Sequence, residues 1–152
     1  MAIERGFRVI QVDECVINKN TLPTHAWSRL KTDAKIDMRE AYMKPKAVIL
    51  AVSREKGLDH VEVFNFSITA SKFKVFLDNL RSKYMFEDIM LMIDNLNLHK
   101  SNEMKDRMDE LGFRYTYTPI YSPDYNGGVE SAIGLGKKII KQERLDAIFR
   151  NE

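Results

Sequence analysis

Three carboxylates stand where a strand ends or a helix begins. Asp13 closes the run from Phe7, Asp94 closes the run from Asp88, and Glu130 follows Gly127-Gly128 at the start of the last apolar-periodic segment. Acids held within a few ångströms repel one another, and a buried cluster of them must take up a proton or bind a cation. Oxygen donors with no cysteine among them select Mg²⁺ or Mn²⁺ over zinc, and an incomplete protein shell leaves room for water and phosphate oxygens. Two such ions about 3.5–4 Å apart activate an attacking oxygen and stabilise a leaving one in phosphoryl transfer. Each acid alone has an ordinary reading. Asp94-Asn95 is a common turn pair, Glu130 suits a helix dipole worth roughly 0.3–1 kcal/mol, and an acid ending a strand is often solvated.

The elements that must position these acids follow from hydrophobic period. Phe7 to Asp13 alternates and is rich in branched residues, and Lys46 to Ser53 is a nearly unbroken apolar run, so both are predicted strands. Gly57-Leu58-Asp59 signals a turn, and His60 to Phe66 alternates with Val61 and Val63 on one face as a hairpin partner. Phe73, Phe76, Leu77, Leu80 and Tyr84 then fall at helical offsets behind a cap at Thr69 or Ser71. Asp88 to Asp94 is a short apolar strand, and Ser101 caps a helix with Met104, Met108 and Leu111 on one stripe, stopped by Gly112. Phe113 to Thr118 is the last strand. Beyond a loop over 119–128, Val129, Ile133, Ile140, Leu145, Ile148 and Phe149 mark a closing helix.

The order βββαβαβα implies an α/β protein with a mixed five-stranded sheet flanked by helices, the order of the ribonuclease H-like fold. If strands one and four are parallel neighbours, their carboxyl ends lie roughly 5 Å apart, and Asp13 and Asp94 converge outside the sheet.

Composition narrows the remaining classes. With 152 residues, 44% of them hydrophobic, the chain reads as a single domain, 1–152, able to bury its own core. Lys and Arg outnumber Asp and Glu by 24 to 22, so any basic surface must be local. The one cysteine, Cys15, reads as a small buried hydrophobe, and the eight methionines as core filling. No run approaches the roughly 20 apolar residues of a membrane span, and no signal peptide opens the chain. An intracellular protein is expected, nuclear if eukaryotic and cytoplasmic or nucleoid-bound if bacterial.

The strings IQVDE (10–14), MIDNLNLHKS (92–101) and YSPDYNGGVE (121–130), with Trp27 in the connecting segment, resemble the catalytic core of DDE transposases of the mariner-like superfamily, which includes bacterial insertion-sequence enzymes. The resemblance covers nearly the whole chain, and the 35 residues between Asp94 and Glu130 suit it. It implies two divalent ions, Mg²⁺ or Mn²⁺, held by Asp13, Asp94 and Glu130, with Asp13 bridging both. Asn95, His99, Ser122 and Asn126 would shape the surrounding shell. Trp27 itself is expected to be a packing residue. The implied activity is cleavage and strand transfer on DNA, with transposon ends and a TA target as partners and a homo-oligomer as the working assembly. The implied whole is a catalytic domain lacking an N-terminal DNA-binding region.

Two departures and two rivals stand beside that reading. Family members commonly carry Asn-Pro-Ile-Glu where this chain has Asn126-Gly127-Gly128-Val129-Glu130. The two glycines predict a loose helix start, and Gly127→Pro with Gly128 deleted is expected to restore the family-like form. The rivals are a decayed or domesticated copy that binds DNA or assembles without cutting, and a ribonuclease H-like nuclease. For DNA, Lys137, Lys138 and Lys141 fall near the Glu130 side of the closing helix, with Lys100 beside His99. Lys19, Arg29 and Lys31 form the alternative track.

Overall fold

The eight residues Lys46–Ser53 are apolar almost throughout because they lie second in a five-stranded sheet covered on both faces. The computed structural model describes residues 6–18, 21, 28–33, 35, 44–97, 99–119 and 127–150. Its elements are β1 (Arg8–Ile17), β2 (Lys46–Ser53), β3 (Gly57–Asn65), α1 (Ala70–Lys83), β4 (Ile89–Ile93), α2 (Asn102–Glu110), β5 (Arg114–Tyr117) and α3 (Gly127–Arg150). The sheet order is β3-β2-β1-β4-β5. The expected mixed sheet is therefore present, with β1 in its centre.

β1 pairs antiparallel with β2 and parallel with β4, and the parallel ladder runs from Arg8 opposite Ile89 to Val12 opposite Ile93. Asp13 does not close its strand, contrary to the sequence reading. Cys15, Val16 and Ile17 continue the extended run because β2 supplies partners as far as Ile17 opposite Lys46. What ends at Val12 is the ladder to β4, so Asp13 and Asp94 are the residues that follow its last rung. The first turn is also displaced, covering 54–56, with Gly57 already at the start of β3 in the left-handed region at φ +75°.

Alternation along β1 divides its side chains between two cores. Ile10 and Val12 join Phe73, Phe76, Leu77 and Leu80 of α1 and Met104 and Met108 of α2 on one face. Cys15 and Ile17 join Val48, Leu50 and the α3 residues Val129, Ile133 and Ile140 on the other. Each of the four fully buried α1 side chains contributes roughly 1.5–3 kcal/mol by leaving water, so the first face is the principal core. Thr69 caps α1 by accepting from the Lys72 amide, and Ser101 caps α2 by accepting from the Met104 amide, each at 3.4 Å. Gly112, at φ +70°, ends α2 as expected and turns the chain toward β5. The hairpin valines Val61 and Val63 lie on the α3 side of the sheet and stay 42% and 62% exposed, because α3 crosses β1 and β2 and leaves β3 largely open. No helix among the described residues is long and apolar enough to cross a membrane.

Candidate active site

The last rung of the parallel ladder fixes the site. Asp13 leaves it on β1 and Asp94 leaves it on the neighbouring strand, so the two carboxylates emerge side by side at the carboxyl end of β4. Asp13 is half-buried and accepts a 2.7 Å hydrogen bond from the Glu14 amide through Oδ1. Burial pushes its carboxyl up to about 6, and Asp94, Glu14 and Glu130 add to the rise by repulsion, against the lowering effect of that amide. Glu130 is exposed in the first turn of α3. The structure thus brings Glu130 within electrostatic reach of Asp13 across most of the chain length.

α3 does not start loosely. Gly127 is already helical, and the Val129 amide donates to Gln11 Oε1 at 3.1 Å, so a side chain of β1 satisfies one of the amides a helix start leaves unpaired. A Cβ on Gly128 would come within 2.6 Å of that oxygen. Gly128 is needed for this close approach, and Gln11 is what orients the turn that carries Glu130.

The Asp94-to-Lys100 run forms a turn that closes on its own first residue. The His99 amide donates to the Leu96 carbonyl at 3.1 Å and the Lys100 amide to the Asn97 carbonyl at 3.3 Å. This returns His99 Nε2 to 3.1 Å from Asp94 Oδ1 and 3.3 Å from Glu14 Oε1. The imidazole is buried, its ring centroid lies 4.5 Å from that of Phe73, and Tyr117 donates to its carbonyl at 2.8 Å. Burial pulls the His99 pKa down, but the close carboxylates of Asp94 and Glu14 outweigh it and raise the group to about 9. Asn95 Oδ1 is buried with no hydrogen-bond partner among the described residues.

Among the described residues, the three ligand-type side chains gathered within 4.8 Å of one another are Glu14, Asp94 and His99. Asp13 and Glu130 stand outside that cluster. The crowding of acids on Asp13, the unpartnered Asn95 oxygen and the all-oxygen set of Asp13, Asp94 and Glu130 nonetheless fit a hard divalent cation. Ser122, Asn126 and Trp27 lie outside the described residues, as does Lys19. Lys100 sits with Nζ 5.9 Å from the Tyr117 ring centroid. On α3, Lys138 is exposed and Lys141 half-buried. Lys137 instead turns toward the sheet, where its charge offsets part of the rise of the half-buried Cys15 thiol and where it lines an apolar groove of about 600 Å³ between α3 and strands β2 and β3.

Sequence reasoning passed over Glu14 and Gln11. The signal for Glu14 was available, since alternation puts it on the helix-covered face with Ile10 and Val12, where a carboxylate needs a partner. Gln11 left no local trace, because the amide it caps lies 118 residues away.

A family model for the DDE superfamily endonucleases matches residues 8–148, and the chain belongs to that family. Its fold is ribonuclease H-like, as in the Mos1 mariner transposase catalytic domain. The Mos1 mariner paired-end complex with Mn superposes with a TM-score of 0.64 at 16% identity, covering 95% of this chain and 48% of that one. The Mos1 transposase catalytic domain with raltegravir and Mn gives 0.61 at 13% identity, covering 93% and 70%. At these identities the likeness is one of fold. A stretch of 119 residues, 78% of this chain, is also 28% identical to a D-lactate dehydrogenase of Lactobacillus delbrueckii subsp. bulgaricus, of which it covers 31%. The chain thus spans less than half the length of that protein and of the paired-end-complex chain. Hydride transfer from a dinucleotide uses a Gly-x-Gly-x-x-Gly turn in a parallel sheet. This sequence has no such run, and its first three strands are antiparallel, so the likeness does not extend to that dinucleotide-binding fold.

Proposed function

We propose that the chain is a single catalytic domain of a DNA transposase, which cleaves phosphodiesters at element ends and transfers the freed 3′ hydroxyl to target DNA. The observation that carries this reading is the pairing of Val12 with Ile93, after which Asp13 and Asp94 leave adjacent parallel strands beside the helix turn bearing Glu130. Asp13, Asp94 and Glu130 would hold Mg²⁺ or Mn²⁺. When bound, a pair of such ions supplies activation of the attacking oxygen and charge stabilisation at the leaving one. The protein's own part is to hold the three carboxylates oriented, with Gln11 setting the Glu130 turn and His99 and Asn95 flanking Asp94. The superposed Mos1 structure supports this reading, since it is a mariner paired-end complex with Mn. A TA target and a homo-oligomeric assembly complete the proposal.

A cut-and-join assay on the full-length protein tests it, with element-end duplex, a supercoiled target and Mg²⁺ or Mn²⁺. Cleavage is expected to fall about a hundred- to a thousandfold in Asp94→Asn, on the order of what removal of one essential charge-stabilising group costs. Undiminished cleavage in that variant would sink the assignment. Tight DNA binding by a wild-type protein that never cuts would favour the decayed-copy reading instead.

A further inference from the structure

Glu14 is adjacent to a candidate metal ligand yet points away from it. Successive residues of a strand face opposite sides of the sheet, so Asp13 goes with Gln11 and Cys15 toward α3, and Glu14 goes toward the α1 and α2 layer. There its side chain is 15% exposed, and its Oε1 has no hydrogen-bond partner among the described residues. What it touches is His99 Nε2 at 3.3 Å, and the same nitrogen reaches Asp94 Oδ1 at 3.1 Å. The other ring nitrogen, Nδ1, is buried without a partner among the described residues. The choice of which nitrogen faces Asp94 therefore rests on contacts at Nε2. Among the described residues, the other hydrogen bond to Asp94 comes from the Leu96 amide at 3.4 Å.

We infer that Glu14 is a positioning residue: it holds the His99 ring so that Nε2 faces Asp94, and it acts on the metal site through His99 and not as a ligand. The inference rests on the reading above in one respect, that Asp94 binds the ion. The geometry assigns each partner a separate task. Phe73 supports the ring, the Tyr117 hydroxyl fixes the backbone behind it, and Glu14 supplies the second contact that sets its rotation. A ligand carboxylate fixed in advance binds tighter than a mobile one, and losing a residue that orients a ligand typically costs about 10–100-fold in metal affinity.

The probe is Mn²⁺, titrated into the full chain and followed by the electron paramagnetic resonance signal of the free ion, with melting temperature measured on the same samples. Glu14→Gln is expected to weaken Mn²⁺ binding about tenfold while the metal-free melting temperature stays near wild type. His99→Gln should weaken it by a similar factor. The double variant should bind no more weakly than His99→Gln alone, since Glu14 has nothing to act through once the ring is gone. Losses that multiply, or a Glu14→Gln protein with wild-type affinity, would overturn the inference. Should His99→Gln fail to fold, Glu14→Asp decides the matter, because it keeps the charge but withdraws the oxygen from the ring. Loss of affinity in Glu14→Asp comparable to that in Glu14→Gln supports the contact, and wild-type affinity refutes it. Asp13→Asn and Asp94→Asn distinguish the two levels of argument. Unchanged Mn²⁺ affinity in both defeats the proposed function, whereas affinity lost there with multiplying losses at Glu14 and His99 defeats only the positioning role.

Discussion

Asp13 stores an electrostatic cost that a cation would relieve. Its carboxyl is raised from 3.8 to about 6 by burial and by the neighbouring acids, so the folded chain binds this proton more tightly than the unfolded chain does. The stabilising contribution of the protonated group is present below 3.8 and is lost as pH rises through about 6. His99 behaves alike in a later window. Raised from 6.5 to about 9, it contributes stability that is complete below 6.5 and lost as pH rises through about 9. Metal-free Asp13→Asn should therefore melt higher than wild type at pH 7.5, should lose the component that falls between pH 4 and 6, and should keep the one between 6.5 and 9. Mn²⁺ should raise the wild-type melting temperature and leave that of Asp13→Asn nearly unchanged, because a ligand stabilises only the state that binds it. Thermal melts across pH, with Mn²⁺ and with chelator, measure both effects. A lower melting temperature for Asp13→Asn at pH 7.5 without metal would show that the carboxylate is already compensated.

The start of α3 depends on two glycines that do different things. Gly127 has nothing within 4 Å of where a Cβ would stand, whereas a Cβ on Gly128 would meet Gln11 Oε1 at 2.6 Å. Gly127→Ala should therefore stabilise the fold by about 0.4–1 kcal/mol through the unfolded chain. Gly128→Ala should push Gln11 off the Val129 amide and cost about 0.5–1.5 kcal/mol, as Gln11→Ala should. Gly127→Pro with Gly128 deleted is worse, because the proline then takes the place of Gly128, where even a Cβ would meet Gln11 Oε1 at 2.6 Å. That reverses the expectation drawn from the family pattern, and urea melts of the four variants check it. The same comparison shows what the chain states openly. Strand and helix order were legible because each element has its own period: the stripe Phe73, Phe76, Leu77 and Leu80, the run Lys46–Ser53, and the caps Thr69 and Ser101. The extent of β1 was not, because two acids at Asp13 and Glu14 interrupt an alternation that only pairing with β2 sustains. Asp13, Asp94 and His99 were marked by type and spacing. Gln11 and Glu14 needed the register, since neither can be placed until it is known which face of β1 meets which helix.

Placing β1 in the middle of the sheet gathers the acids at one end of the parallel pair, and α3 is the element that leads away from them. A molecule with a net charge of only +2 draws DNA weakly as a whole, so attraction near the site must come from local cations. Along α3, at about 1.5 Å per residue, Lys138 and Lys141 stand roughly 12 and 16 Å beyond Glu130. Lys138 is exposed and Lys141 half-buried, while Lys137 faces the apolar groove near Cys15 and Arg144 donates to the Asn18 and Thr21 carbonyls. Among the described side chains of α3, the cations placed to follow a backbone leaving the site are thereby Lys138 and Lys141. Phosphate contacts release counterions at about 0.9 per charge neutralised, and they do so regardless of base sequence. Replacing Lys138 and Lys141 together by Gln should weaken binding to all duplexes alike and flatten the slope of log affinity against log salt by roughly one to two units. Lys137→Gln, the internal control, should leave the slope unchanged. Titrations of labelled duplex at several salt concentrations measure all three proteins. An unaltered slope and affinity in the double variant would mean that this face of α3 meets solvent alone and that the DNA path runs elsewhere, with exposed Arg29 and Lys31 the next residues to neutralise.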